Sequence, residues 1–139
     1  MKITQEMLTV GTRGRGFHDL TASVSAIVAK SGVRTGLCTV FVQHTSASLL
    51  IQENADPSVL RDLARWFEKL APEDSSAYEH DAEGPDDMPS HLKAAMTRAS
   101  ESVPIANGRL ALGTWQALYL VEHRFAPHER RVVVHVGGA

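Results

Sequence analysis

Three polar blocks carry the side chains that could do chemistry. The first, "HTSASLLIQEN", holds His44, Thr45, Ser46 and Ser48, then Glu53 and Asn54 ahead of "ADPSVL". Hydroxyls and amides before a helix start suit a phosphate, because a helix N-terminus gathers free N–H groups and a positive dipole end. Ser, Thr and Asn also cap bare backbone at such junctions. Capping accounts for one or two of these residues and leaves His44 and Glu53 less well explained. The second block, "YEHDAEGPDDMPSH", holds His80, Asp81, Glu83, Asp86, Asp87 and His91. Imidazoles with carboxylates can hold zinc or manganese, and carboxylates alone can hold magnesium. The His80–His91 interval matches no fixed finger spacing, and a solvated acidic loop fits the charge pattern equally. The third block, "GTWQALYLVEHR", offers Trp115, Gln116, Glu122, His123 and Arg124, with His128, Arg130 and Arg131 following. Arginines there could grip phosphate bidentately or simply decorate the start of a strand.

The elements that must position these blocks follow from periodicity. Residues 2–10 alternate apolar and polar as a strand does, until "GTRGRG" breaks them. That glycine cluster reads as a turn or as an anion loop. Asp19 or Thr21 can cap a helix with Leu20, Val24, Ile27 and Val28 on one face, ending at "KSG". "GLCTVFVQ" is continuously apolar and β-branched, which predicts a strand covered on both faces. Asp56-Pro57 opens a second helix, with Val59, Leu63, Phe67 and Leu70 as its buried stripe. Residues 71–90 are acidic, rich in Pro and Gly and without period, so they read as a long loop. A short helix then starts at Pro89 or Ser90, with Leu92, Ala95, Met96 and Ala99 inward. The remainder is β, and Asn107-Gly108 marks a hairpin. On alternation Gln116 faces with Leu118, Leu120 and Glu122, whereas Trp115 faces with Tyr119 and His123. The order predicts one α+β domain over 1–139, with three helices packed on largely antiparallel sheets as a sandwich.

Bulk properties narrow the function classes. Apolar residues form 43% of the 139 and charged residues 22%, an ordinary globular balance. A net charge of −2 gives no electrostatic case for nucleic acid or an anionic membrane. The single cysteine, Cys38, cannot form an internal disulfide, and the opening residues lack a signal peptide's apolar core, so a cytoplasmic location is expected. Walker, GxGxxG, HExxH, CxxC and GxSxG signatures are absent.

Together and in this order, "HTSASLLIQENADPSVLRDL", "YEHDAEGPDDMPSHLKAAM", "GRLALGTWQALYLVEHR" and "RRVVVHVGG" resemble the YjbQ family, often described as secondary thiamine-phosphate synthases. The resemblance spans essentially the whole chain. It implies a compact α+β fold, a homotrimer and a polar pocket near subunit boundaries. The implied activity joins a hydroxymethylpyrimidine diphosphate to a thiazole phosphate and releases pyrophosphate. Metal-dependent phosphoester hydrolysis and non-catalytic binding of a metabolite or anion are the rival expectations. The expected catalytic set is His44, His91, Glu53 and Gln116. His44, His80 and His91 are the expected ligands of a divalent metal, zinc or magnesium. Thr45, Ser46, Ser48, Asn54, Arg124 and Arg131 are expected on a phosphorylated substrate, with Asp56 as an orienting group. The passage "GPDDMPSH" departs from the family pattern, so the resemblance assigns no role to Asp86 or Asp87.

Overall fold

The computed structural model describes residues 1–139, the side chain of Ser75 excepted. Two antiparallel sheets face each other. The larger has five strands in the order β1 (Lys2–Thr12), β8 (His128–Gly138), β3 (Gly36–Val42), β5 (Ser100–Ala106) and β6 (Arg109–Leu110). The smaller has three, β2 (Gly16–Asp19), β7 (Gln116–Glu122) and β4 (Ala47–Glu53) in that order. β8 is the spine of the larger sheet, pairing with β1 from Lys2↔Gly138 to Thr12↔His128 and with β3 along its other edge. At that edge Gly36 lies opposite Gly138, and a Cβ on Gly36 would meet the Gly137 carbonyl at 2.1 Å. Only glycine permits so close a backbone approach.

The core lies between the sheets. Leu49, Leu118 and Leu120 from the smaller sheet meet Val40, Val42, Val132, Val134 and Val136 from the larger, all essentially inaccessible. Helix α1 (Thr21–Ser31) inserts Val24, Ile27 and Val28 into the same cluster and ends on Gly32 at φ 72°, the left-handed stop that glycine adopts without penalty. Burying each large aliphatic side chain contributes about 1.5–3 kcal/mol. The sandwich and the three helices match the expected α+β class, and Asn107 and Gly108, at φ 53° and 77°, make the predicted hairpin turn.

Four expectations change. "ASLLIQE" is a strand, β4, and "GFHD" is another, β2, so the first polar block begins at the crossing between the two sheets. The strand β3 is covered on one face only, and Leu37 and Phe41 on its outer face are exposed. Helix α2 (Pro57–Leu70), capped by Asp56 Oδ1 on the Ser58 N–H at 2.9 Å, buries only Phe67 of its apolar stripe; Leu70 is exposed. Helix α3 (Asp87–Met96) begins two residues before Pro89, since proline is tolerated throughout a first turn whose N–H groups lack partners anyway. It buries Asp87, Pro89, Ser90 and Lys93 rather than Ala95 and Met96.

Candidate metal centre and its surroundings

α3 turns a polar face inward because every polar group on it finds a partner. The Ser90 hydroxyl donates to the carbonyls of Asp86 (2.6 Å) and His123 (3.0 Å). Lys93 reaches Glu68 at 2.6 Å. Asp87 occupies the first turn, where the dipole end favours a carboxylate, and its Oδ1 accepts from Arg124 Nη1 at 2.5 Å. Arg124 donates from Nε to Asp86 Oδ2 (3.1 Å) and from Nη2 to the Glu83 carbonyl (3.0 Å), while the Phe125 N–H caps the same Asp86 oxygen at 2.9 Å. Burial works against ionisation of Asp87, but the His80 hydrogen bond and the charge of Arg124 outweigh it and hold its carboxyl below the usual range.

With Oδ1 committed to Arg124, Oδ2 faces two imidazoles. His80 Nε2 lies 2.7 Å away and His91 Nε2 3.2 Å away, with the two rings edge to face at 5.4 Å between centroids. Asp87 and His91 are four residues apart on one helix and so share a face. One ligand atom from each of the three lies within 4.8 Å of the others. Tetrahedral ligands about 2.0–2.1 Å from a zinc ion stand roughly 3.3 Å apart, so small side-chain adjustments suffice. The Asp87 side chain is 4% exposed, but those of His80 and His91 are 46% and 34% exposed, which leaves one side open to a further ligand.

His44 lies elsewhere. Its Nε2 accepts the Arg131 N–H at 2.8 Å, and it lines a shallow depression with Phe41, Thr45 and Ser46 that contains none of the cluster. Burial, then the charge of Arg130, lowers its pKa. Asp87, to which no role was assigned, takes the third position of the His80–His91 cluster in place of His44. The spacing Asp-x-x-x-His is the signal in the sequence, and it shows only when the helix includes Asp87, ahead of Pro89 and Ser90.

The other expected residues divide between the two ends of β4 and β7, which pair Ala47 with Glu122 and Glu53 with Gln116. These ends stand about 20 Å apart at 3.3 Å per residue. At the Glu122 end, Arg130 donates to both Glu122 oxygens (2.7 and 2.5 Å) and to Ser46 Oγ (3.0 Å), and Thr12 bonds Glu122 at 2.6 Å. Burial opposes ionisation of Glu122, and these donors overcome it, holding its pKa low. Ser48 Oγ sits 2.8 Å from His123 Nε2 and 2.5 Å from Thr97 Oγ1. Burial pushes His123 down to about 3. Arg124 and Ser48 are therefore engaged inside the protein, while Thr45 and Arg131 are exposed. At the Gln116 end, Gln116 Oε1 accepts the Gly113 N–H (2.8 Å), Glu53 Oε2 accepts the Ala55 N–H (3.0 Å), and Asn54 Nδ2 reaches the Thr114 carbonyl (3.4 Å).

The fold and this cluster define an α+β sandwich with an open His₂Asp group beside the smaller sheet. A family profile described as UPF0047 protein YjbQ-like matches residues 6–139, and the chain belongs to that family. A UPF0047 protein of Synechocystis sp. is 58% identical over 134 residues, covering 96% of this chain and 91% of its own. The UPF0047 protein YjbQ of Escherichia coli O157:H7 is 42% identical, covering 96% and 97%. Among solved structures, a conserved protein of the same family from Clostridium acetobutylicum superposes with a TM-score of 0.84 at 36% identity, covering 96% of this chain and 99% of its own. A YbjQ-like protein of unknown function from Sulfolobus solfataricus P2 gives 0.86 at 26%, covering 99% of each. No helix among the described residues is long and apolar enough to cross a membrane.

Proposed function

We propose that this protein is a divalent-metal-dependent enzyme acting on small phosphorylated molecules, with His80, Asp87 and His91 as the metal ligands. The observation that carries the reading is the convergence of those three side chains on one open point, with the second Asp87 oxygen fixed by Arg124. Two imidazoles favour zinc over magnesium, which prefers oxygen ligands. A bound divalent ion would supply electrostatic stabilisation to a departing diphosphate. Arg124 acts as a positioning residue that keeps the Asp87 carboxylate ionised and oriented, and Asp86 holds Arg124 in place.

The finer form of the proposal is a thiamine-phosphate synthase-type transfer. The bond between the pyrimidine methylene carbon and the diphosphate oxygen breaks, and pyrophosphate leaves with the electron pair. The thiazole nitrogen then bonds to that carbon. A homotrimer belongs to the same proposal. The outer face of the larger sheet exposes Ile3, Met7, Leu37 and Phe41, which copies of the chain would cover. A ring of subunits would also let Glu53, Asn54 and Gln116 of one chain approach the metal cluster of the next. Purified protein titrated with zinc should bind about one ion per chain tightly, and the His80→Ala/His91→Ala variant should lose both that binding and pyrophosphate release from the diphosphate plus thiazole phosphate. A folded double variant with unchanged zinc affinity sinks the metal reading. Phosphate release from simple esters without the thiazole acceptor turns the reaction into hydrolysis, and sedimentation as a monomer at micromolar concentration removes the trimer.

A further inference from the structure

Helix α2 stands off the outer face of the smaller sheet and leaves a cavity of about 440 Å³, within the range of small-molecule sites. Its walls are Phe17, Leu60, Ala64, Phe67 and Val121. Neither His80, Asp87 nor His91 lines it, so the cavity is separate from the metal cluster.

One polar side chain on its wall is buried and unpaired on one side. His123 is 3% exposed and lines the cavity. Its Nε2 is held by Ser48 at 2.8 Å and its ring stands edge-on to Phe67 at 6.3 Å, but Nδ1 has no partner among the described residues. The only sealed and unpartnered side-chain atom among those residues is Glu6 Oε2. The Nδ1 of His123 therefore keeps access to open space, and the space that His123 borders is this cavity. A nitrogen that opens onto an otherwise apolar cavity is a hydrogen-bonding point for whatever fills that cavity.

The rim is cationic. Arg15, Arg61, Arg65 and Lys93 line it against Glu68 and Glu122, and Glu122 is already taken by Arg130. Arg15 is held by both Glu68 and Glu73, Lys93 shares Glu68, and Arg65 pairs with Asp62, so these rim charges are balanced. Arg61 makes no ion pair among the described residues and lies exposed on the same helix as Ala64. Arg61 is therefore the rim charge left for a ligand, and it favours an anionic group over a cationic one.

We infer that the cavity under α2 binds a small amphipathic anion, whose apolar body sits between Phe17, Phe67 and Val121, with His123 Nδ1 hydrogen-bonded to it and its carboxylate or phosphate at Arg61. This site stands apart from the metal reading and survives its failure. The test is calorimetric titration of the full chain, with and without zinc, using 2-naphthoate and its neutral counterpart 2-naphthylmethanol. Histidine-ring NMR is followed throughout. The expected result is saturable 2-naphthoate binding that moves the His123 ring signals and leaves those of His80 and His91 in place. Arg61→Glu should weaken 2-naphthoate about tenfold, an attractive rim pair becoming a repulsive one, and leave the alcohol unchanged. Ala64→Trp, an exposed helical position whose indole would fill the space, should weaken both by about tenfold or more. No binding at millimolar concentration, unmoved His123 signals at saturation, or wild-type affinity in folded Ala64→Trp each overturns the inference.

Discussion

The two ends of β7 are built from similar residue types to opposite effect. At the Glu122–Arg124 end, carboxylates are buried and each is gripped by a guanidinium: Glu122 by Arg130, Asp86 and Asp87 by Arg124. At the Gln116 end, Glu53, Asn54 and Gln116 spend their polar atoms on local backbone and remain open to water. Burial makes a charge dependent on its partner, so the side chains at the first end are held in one arrangement. The second end holds turns, and its side chains can exchange those bonds for water at little cost.

The sharpest way to break this contrast is to unpair a buried charge. Arg130→Ala should lower stability by about 3–5 kcal/mol in urea denaturation, because Glu122 stays buried without its counter-ion. A loss under about 1 kcal/mol would make the two ends equivalent. Next, His91→Ala should weaken zinc binding by about 100-fold or more, a loss of one of three protein ligands, and Arg124→Gln by about tenfold, since it acts through Asp87. Equal effects from the two would mean that Arg124 is not merely positioning.

Acid sharpens the comparison further. His123 is lowered to about 3 from 6.5, so the unfolded chain takes up that proton first as pH falls. Its contribution is complete above about 6.5 and is lost progressively toward 3. Glu122 is also lowered, so its contribution is present above the ordinary carboxylate pKa and disappears as pH falls through its own lower value. Wild-type stability should therefore decline from pH 6.5 downward, and His123→Gln should flatten the upper part of that decline, between pH 6.5 and 5, without removing the carboxylate part. An unchanged slope would place the acid sensitivity elsewhere. The smallest effect is expected at the other end: Gln116→Ala should cost under about 1 kcal/mol and leave zinc affinity untouched. In a pocket shared between subunits it would still lower transferase turnover, and unchanged turnover would confine Gln116 to its own turn.

Much of the fold was legible because strong local signals agreed. The valine-rich β8, the Val24–Ile27–Val28 face of α1, the Asp56-Pro57 cap and the Asn107-Gly108 turn each appear where periodicity and turn chemistry put them. The polar run from His44 to Asn54 suggests a ligand-holding block, yet β4 occupies most of it and the Ser46 and Ser48 hydroxyls bond buried Arg130 and His123. The amphipathic pattern of α2 and α3 was visible, but not the surface each would bury. α3 turned its polar side inward because Arg124, Glu68 and the His123 carbonyl were waiting there.

The sequence by itself determined the α+β class and the family, since these rest on residue order and short-range pattern. Tertiary structure decided which donors meet. Asp87 enters the cluster through the packing of α3 beside the end of β7, with Arg124 some 37 residues away selecting the carboxylate, while the β3–β8 pairing keeps His44 with Arg131. Contacts across such separations depend on how the two sheets stack, and no local pattern of residues encodes that.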